Sequence, residues 1–303
     1  MYEELKDRLK GLAYSVNTPF CKDGTIDYKS LENLLNYVID NGAQSIILTY
    51  GDSVYSLLSD KETGELTKKT VEYVRHRVPV VAADRQWWTG REIEFADYCK
   101  EIGADVLMVL PPDWASSCTE ESMTEHYIKV SEHIPVMVVT NVFIRRGMNF
   151  GLKVMKNLKE RAPGVIAVKD DFTGDFGRRL GLLSKDTWTF IMGGRKEKFM
   201  EAKDYGCNAY FSTFIPINPK IAQDFYKYVM TGNDEKAVEI VARYEIPFFD
   251  AIMKFKGGFD AGIRTAIYLN QGLIPFYRRP PYEDPTDSEI NDLRDFCKQH
   301  NII

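Results

Sequence analysis

The stretch GVIAVKDDFTGD (Gly164–Asp175) decides how the rest of the chain is read. Small and β-branched apolar residues run from Gly164 to Val168 without a polar interruption, the pattern of a strand buried on both faces. An ammonium follows at once at Lys169, and then come the carboxylates of Asp170 and Asp171. Strands buried on both faces belong to parallel sheets covered by helices. The chain holds seven further runs of this character: GLAYSV (11–16), QSIILTY (44–50), VPVVAA (78–83), DVLMVL (105–110), IPVMVVT (134–140), WTFIMG (188–193) and NAYFST (208–213). Between them lie stretches such as YKSLENLLNYVIDNGA and GREIEFADYCKEIGAD, whose apolar residues repeat at three and four and which close on a glycine placed as a helix C-cap. Strand and helix alternating in this way predict an α/β fold, a (β/α)8 TIM barrel, with an open doubly wound sheet as the alternative.

Beyond about residue 220 the pattern is helical only, until the proline-rich RRPPYEDPTDSEI and a last short helix. The expected division is a catalytic barrel over residues 1–222 and a helical extension over 223–303 packed on it. The 303 residues are 44% hydrophobic and 27% charged, as in an ordinary soluble globular protein, and disorder is not expected. A net charge of -5 without a basic block argues against nucleic acid as a partner. No run approaches the roughly 20 apolar residues of a membrane span. The five cysteines form no CxxC pair, so neither zinc nor a disulfide framework is suggested, and a reducing cytoplasm is the expected location. No metal and no cofactor are expected, and small molecules are the expected partners.

In a TIM barrel the chemistry sits where the βα loops leave the C-terminal ends of the strands. Lys169 is at such an end. A neutral amine there can attack a ketone to give a Schiff base, whose iminium is an electron sink for the neighbouring carbon. The alternative is a lysine that has passed the strand end and pairs with Asp170 or Asp171 in solvent.

Several segments choose between these: NTPFCKDGTIDYKSLENLLNYVIDNGA (17–43), LLSDKE (57–62), VPVVAAD (78–84), IGADVLMVLPP (102–112), IPVMVVTNV (134–142) and GVIAVKD (164–170). Together, in register across most of residues 11–220, they resemble the dihydrodipicolinate synthase and N-acetylneuraminate lyase family of class I aldolases. Lys169 falls on the family's Schiff-base lysine. The resemblance implies a barrel, a homo-oligomer (dimer or tetramer), a 2-keto acid substrate, and Arg145 as a substrate-binding arginine.

The chain departs from the family at its site. Where the family holds the substrate carboxylate with a threonine pair, Asp52 and Ser53 stand in Tyr50-Gly51-Asp52-Ser53-Val54. Asp52 would repel a carboxylate at that spot by roughly 1 to 4 kcal/mol at 4 Å. Thr140 replaces the tyrosine that shuttles protons, and Trp114 stands near the second tyrosine of that relay; an indole donates a hydrogen bond but does not shuttle a proton. Tyr210 and Tyr50 are candidates to replace the missing phenol, although each also reads as a large core residue. Asp84, Asp113, Asp170 and Asp171 add carboxylates at the rim, where they are also ordinary loop residues. Arg85, beside Trp87 and Trp88, and Arg195, beside Lys196, are candidate anion binders; an internal ion pair of Arg85 with Asp52 or Asp113 is the alternative. The expectation is a Schiff-base lyase on a 2-keto acid, sugar-acid-like or otherwise anionic, with a remodelled site. Dehydration of a deoxy keto sugar acid and a non-catalytic anion-binding barrel are the rivals. A metal-dependent aldolase is disfavoured because His76, His126, His133 and His300 all lie away from predicted strand ends.

Overall fold

A computed structural model describes residues 2–303 of the chain. Eight parallel strands close into a barrel in sequence order: β1 (Gly11–Ser15), β2 (Ser45–Ile47), β3 (Val80–Ala83), β4 (Val106–Val109), β5 (Val136–Val139), β6 (Val165–Asp170), β7 (Thr189–Met192) and β8 (Ala209–Phe211). Each coincides with one of the eight apolar runs. Every residue of every strand is buried, as strands between a filled interior and a ring of helices must be. Closure comes from β1 pairing with both β2 and β8.

The helices begin where the local chemistry stops their exposed N–H groups. Asp27 accepts from the backbone N–H of Ser30 at the start of Tyr28–Asp40, and Ser59 with Glu62 forms a capping box on Asp60–Val74. The two glycines read as helix stops, Gly42 and Gly103, take φ of 98° and 86° just past the helix ends.

β6 has six residues, and Lys169 is its fifth. The lysine is therefore inside the hydrogen-bonded strand, with Thr140 N donating to its carbonyl at 3.0 Å and its register partner on β7 at Ile191. The helix Pro219–Met230 follows β8 and packs on β1, so the boundary expected at residue 222 falls inside it. The remaining helices are Asp234–Ile240, a π-helical turn Val241–Glu245, Ile246–Ile252, Gly258–Leu269 and Asp287–Gln299. They grip the barrel through buried charges. Arg264, fully buried, donates to the Thr18 carbonyl at 2.6 Å and to the Asp260 carboxylate at 3.0 Å, and Arg278 reaches the same carboxylate at 2.8 Å.

Candidate active site

At the C-terminal ends of the strands lies a cavity of about 400 Å3. Its wall is built strand by strand: Tyr14 and Ser15 from β1, Ala83 from β3, Met108 from β4, Val139 from β5, Lys169 from β6 and Phe211 from β8. The helical extension closes one side with Phe249, Phe259 and Ile263, the two phenylalanine rings stacked at 5.8 Å. Charged side chains facing this space are Asp52, Asp84, Asp171, Lys169 and Arg195, and the phenols of Tyr14 and Tyr50 line it as well.

Lys169 is only 9% exposed. Its ammonium is bound by the Asp171 carboxylate and sits 5.0 Å from the centre of the Phe211 ring. Both sequence readings of this lysine thus hold a part: it pairs with Asp171, and it does so inside the cavity. Gly193 makes the pairing possible, since a Cβ there would come within 2.0 Å of Asp171 Oδ1. Asp170 points the other way. Its carboxylate accepts from Thr140 Oγ1 at 2.6 Å and from the N–H groups of Phe172 and Thr173 at the head of the next helix, Gly174–Ser184. Burial pushes the Asp170 carboxyl up, and those donors act against the rise.

Most of the other residues expected at the site lie away from the cavity. Thr140 is fully buried and does not line the cavity; its hydroxyl donates to Asp170 and accepts from the N–H groups of Asp171 and Phe172, so it shapes the β6 loop and has no proton to shuttle. Tyr210 lies outside the barrel interior, stacked on Phe199 at 5.0 Å with its hydroxyl on Ser212, because alternation along β8 turns Phe211 inward instead. Ser53 is also buried, donating to the Val16 carbonyl at 2.7 Å and accepting from Thr49 N, which braces the loop and leaves nothing for substrate. Arg85 pairs with Asp60, away from the cavity and from both partners considered for it. Arg145 is exposed at the end of the short helix Asn141–Ile144 and does not line the cavity, while its neighbour Arg146 is held by Asp113 at 2.7 Å. Trp114 is 87% exposed and likewise outside the cavity.

Asp52 and Arg195 do face the cavity. The Asp52 carboxyl is pushed up by burial, against the Ser15 hydroxyl and the Lys169 charge, which favour its ionised form. Arg195 lies 2.9 Å from a Glu197 oxygen, with its guanidinium over the Phe249 ring at 4.5 Å, and lines the cavity. Two residues at the site carry no reading from the sequence: Tyr14, which lines the cavity, and Glu92 behind its wall. Tyr14 stands at the end of β1, and its place near the close of GLAYSV is the signal the sequence offers for it. Its hydroxyl donates to Asn17 Oδ1 at 3.1 Å. Glu92, which faces Asp84 from behind the cavity wall, carried no signal because it sits in an amphipathic helix as any glutamate does. Among the described residues no group of three or more His, Cys, Asp or Glu side chains is placed to hold a metal ion.

A buried lysine on the sixth strand of a closed barrel, opening into a cavity at the strands' C-terminal ends, is the arrangement expected from the sequence resemblance, and residues 8–300 match the dihydrodipicolinate synthetase family. The chain belongs to this family. Curated relatives include the 4-hydroxy-tetrahydrodipicolinate synthases of Acetivibrio thermocellus, 28% identical over 97% of this chain and 98% of that one, and of Clostridium tetani, 28% identical over 76% and 78%. Among solved structures, a dihydrodipicolinate synthase superposes with a TM-score of 0.82 at 25% identity, covering 97% of this chain and all of the other. The N-acetylneuraminate lyase of Fusobacterium nucleatum shares the fold at a TM-score of 0.82 and 16% identity, over 97% and 99%. Membership makes this chain a lyase of the class I aldolase type, acting through a Schiff base on a pyruvate-type substrate.

Proposed function

We propose that this family member cleaves or forms a carbon–carbon bond in a hydroxylated 2-keto acid, with Lys169 as the nucleophile, Arg195 as the anion anchor and Asp52 as acceptor for a substrate hydroxyl. The observation that carries this reading is Lys169 on β6, nearly buried, opening into the one cavity that also holds Asp52 and Arg195. Asp171 can receive a proton as the amine is freed, and Phe211 with Met108 and Val139 supplies the dry wall that a Schiff base needs against hydrolysis. Of the arginines considered as anion binders Arg195 alone lines the cavity, on the loop after β7, which supports giving it that role. A substrate carboxylate would meet repulsion at Asp52 and attraction at Arg195, so it binds in the orientation Arg195 sets. The chain works as a homo-oligomer in the cytoplasm on this proposal.

Treatment with borohydride in the presence of a 2-keto acid tests the covalent step. Intact mass is expected to rise by one reduced substrate in the native protein and to stay unchanged in Lys169→Ala. An increase that survives the substitution removes Lys169 as the nucleophile.

A further inference from the structure

Asp84 follows β3 directly, is 1% exposed, and lines the same cavity as Lys169. One of its oxygens accepts from Leu110 N at 2.8 Å, which pins the carboxyl to the end of β4. Behind it stands Glu92, in the first turn of the helix Thr89–Glu101, with no exposed surface at all. The two carboxyls are close enough to act on each other's ionisation, and neither Glu92 oxygen has a hydrogen-bond partner. Two buried carboxyls this close hold at least one proton between them, because two adjacent negative charges in a dry site repel strongly.

Of the surrounding cations Arg91 favours an ionised Glu92, and it is itself paired with Glu94. Tyr55, Tyr127 and Cys99, which feel the charge of the pair, are neutral hydroxyls and a thiol whose protons burial holds more tightly. His126, on the helix Glu120–Ser131, is pushed down to about 4 by burial and is also neutral. Arg85 is taken by Asp60 and Arg91 by Glu94, while Lys169, across the cavity, is taken by Asp171. Of the hydroxyls weighed for proton transfer, Tyr210 is outside the cavity, Thr140 is committed to its loop and Tyr14 donates to Asn17, while Tyr50 lines the cavity from its solvent side, 38% exposed.

We propose that Asp84, backed by Glu92, is the acid–base residue that moves the proton between the C4 hydroxyl and C3 of the Schiff-base-bound substrate. The proposal rests on the lyase reading above. With the substrate joined to Lys169 Nζ as an iminium, the Asp84 carboxylate takes the C4 hydroxyl proton. The C3–C4 bond breaks, its electron pair forms the C2–C3 double bond of an enamine, and the iminium nitrogen becomes neutral. The aldehyde formed at C4 leaves. Asp84 then returns the proton to C3, the iminium is restored, and water releases the shortened keto acid and the amine. Glu92 keeps its own proton throughout and donates to Asp84, so the pair alternates between one negative charge and none. Burial pushes Asp84 up to about 7 and Glu92, with Asp84 beside it, up to about 10, which leaves Asp84 able both to accept and to give at neutral pH.

Exchange of the C3 hydrogens of pyruvate for deuterium, followed by proton NMR, reads the C3 proton transfer alone, and borohydride trapping of pyruvate on the same samples reads the imine. Asp84→Asn is expected to trap the adduct but to exchange about 100-fold more slowly. Glu92→Gln, whose amide still donates, is expected to keep exchange and the midpoint of its pH dependence, whereas Glu92→Leu, which removes a donor that holds the Asp84 carboxyl down, is expected to raise that midpoint. Both carboxyls hold protons that the unfolded chain gives up near pH 4, so stability falls as pH rises from there toward 7 for Asp84 and 10 for Glu92. Glu92→Gln should therefore melt higher than the native protein at pH 9 and differ little from it at pH 4. Wild-type exchange in Asp84→Asn, or loss of its adduct where the native protein forms one, overturns the assignment and leaves the lyase reading intact. A native protein that traps no adduct overturns both.

Discussion

At the scale of single residues, the site is decided by which charges reach the cavity. Lys169 and Asp171 do so together, and Gly193 leaves the space their pairing needs. Arg195 is the only arginine lining that space among the described residues. Its side chain is 40% exposed, so the charge it offers a substrate is partly screened. Arg195→Ala should therefore raise KM for a 2-keto acid roughly tenfold, about 1.4 kcal/mol, and leave kcat within a few-fold, because an anchor remote from the reacting carbons is made equally in ground and transition states. Arg85→Ala, by contrast, is expected to leave both constants alone, since its partner is Asp60. Steady-state kinetics on the two variants separate them; equal effects would move the anchor elsewhere.

At the scale of elements, the loop after β7 is locked to the helical extension by a pair that has no exposed surface to speak of. Lys196 Nζ lies 3.4 Å from Glu245 Oε1, both side chains are 1% exposed, and the Lys196 backbone N–H donates to the same carboxylate at 2.8 Å. Burial works against both charges, pushing the Glu245 carboxyl up and the Lys196 amine down. Glu245 is the last residue of the π-helical turn Val241–Glu245, and the turn leads into the helix that carries Phe249 to the cavity. Removing one partner strands the other in a dry site. Glu245→Leu should lower unfolding free energy by roughly 3 to 5 kcal/mol, whereas Lys196→Met/Glu245→Leu should recover most of the loss. Urea unfolding of the single and double variants checks this, and a double variant no better than the single one would show that the pair is not the source.

At the scale of the whole molecule, the consecutive loops after β3, β4 and β5 expose large apolar side chains at the same end of the barrel: Trp88 at 69%, Trp114 at 87% and Ile144 at 51%. Solvated tryptophans beside a cavity mouth are costly surface that association removes. A second copy of the chain is the occupant the family likeness suggests. Light scattering should give a multiple of the single-chain mass, and Trp114→Glu should shift it toward the single chain; a native protein that is monomeric at working concentrations refutes the idea.

How far the sequence alone reached follows from what each signal measures. Apolar runs report burial on both faces, a local property, so all eight strands, their order and Lys169 at the inner end of the sixth could be read directly. The side of the barrel a residue serves is also local where alternation is counted, and counting it along β8 and β1 would have excluded Tyr210 and found Tyr14. What could not be read is who meets whom across loops. Arg85 finding Asp60, Arg146 rather than Arg145 finding Asp113, and Asp84 backed by Glu92 depend on how neighbouring βα units pack, which no spacing along the chain records. The sequence by itself determined the barrel and its lysine, because burial and periodicity are written residue by residue. Tertiary structure alone decided which charges are left for a substrate, because an ionic side chain is spent on the nearest partner that three dimensions supply.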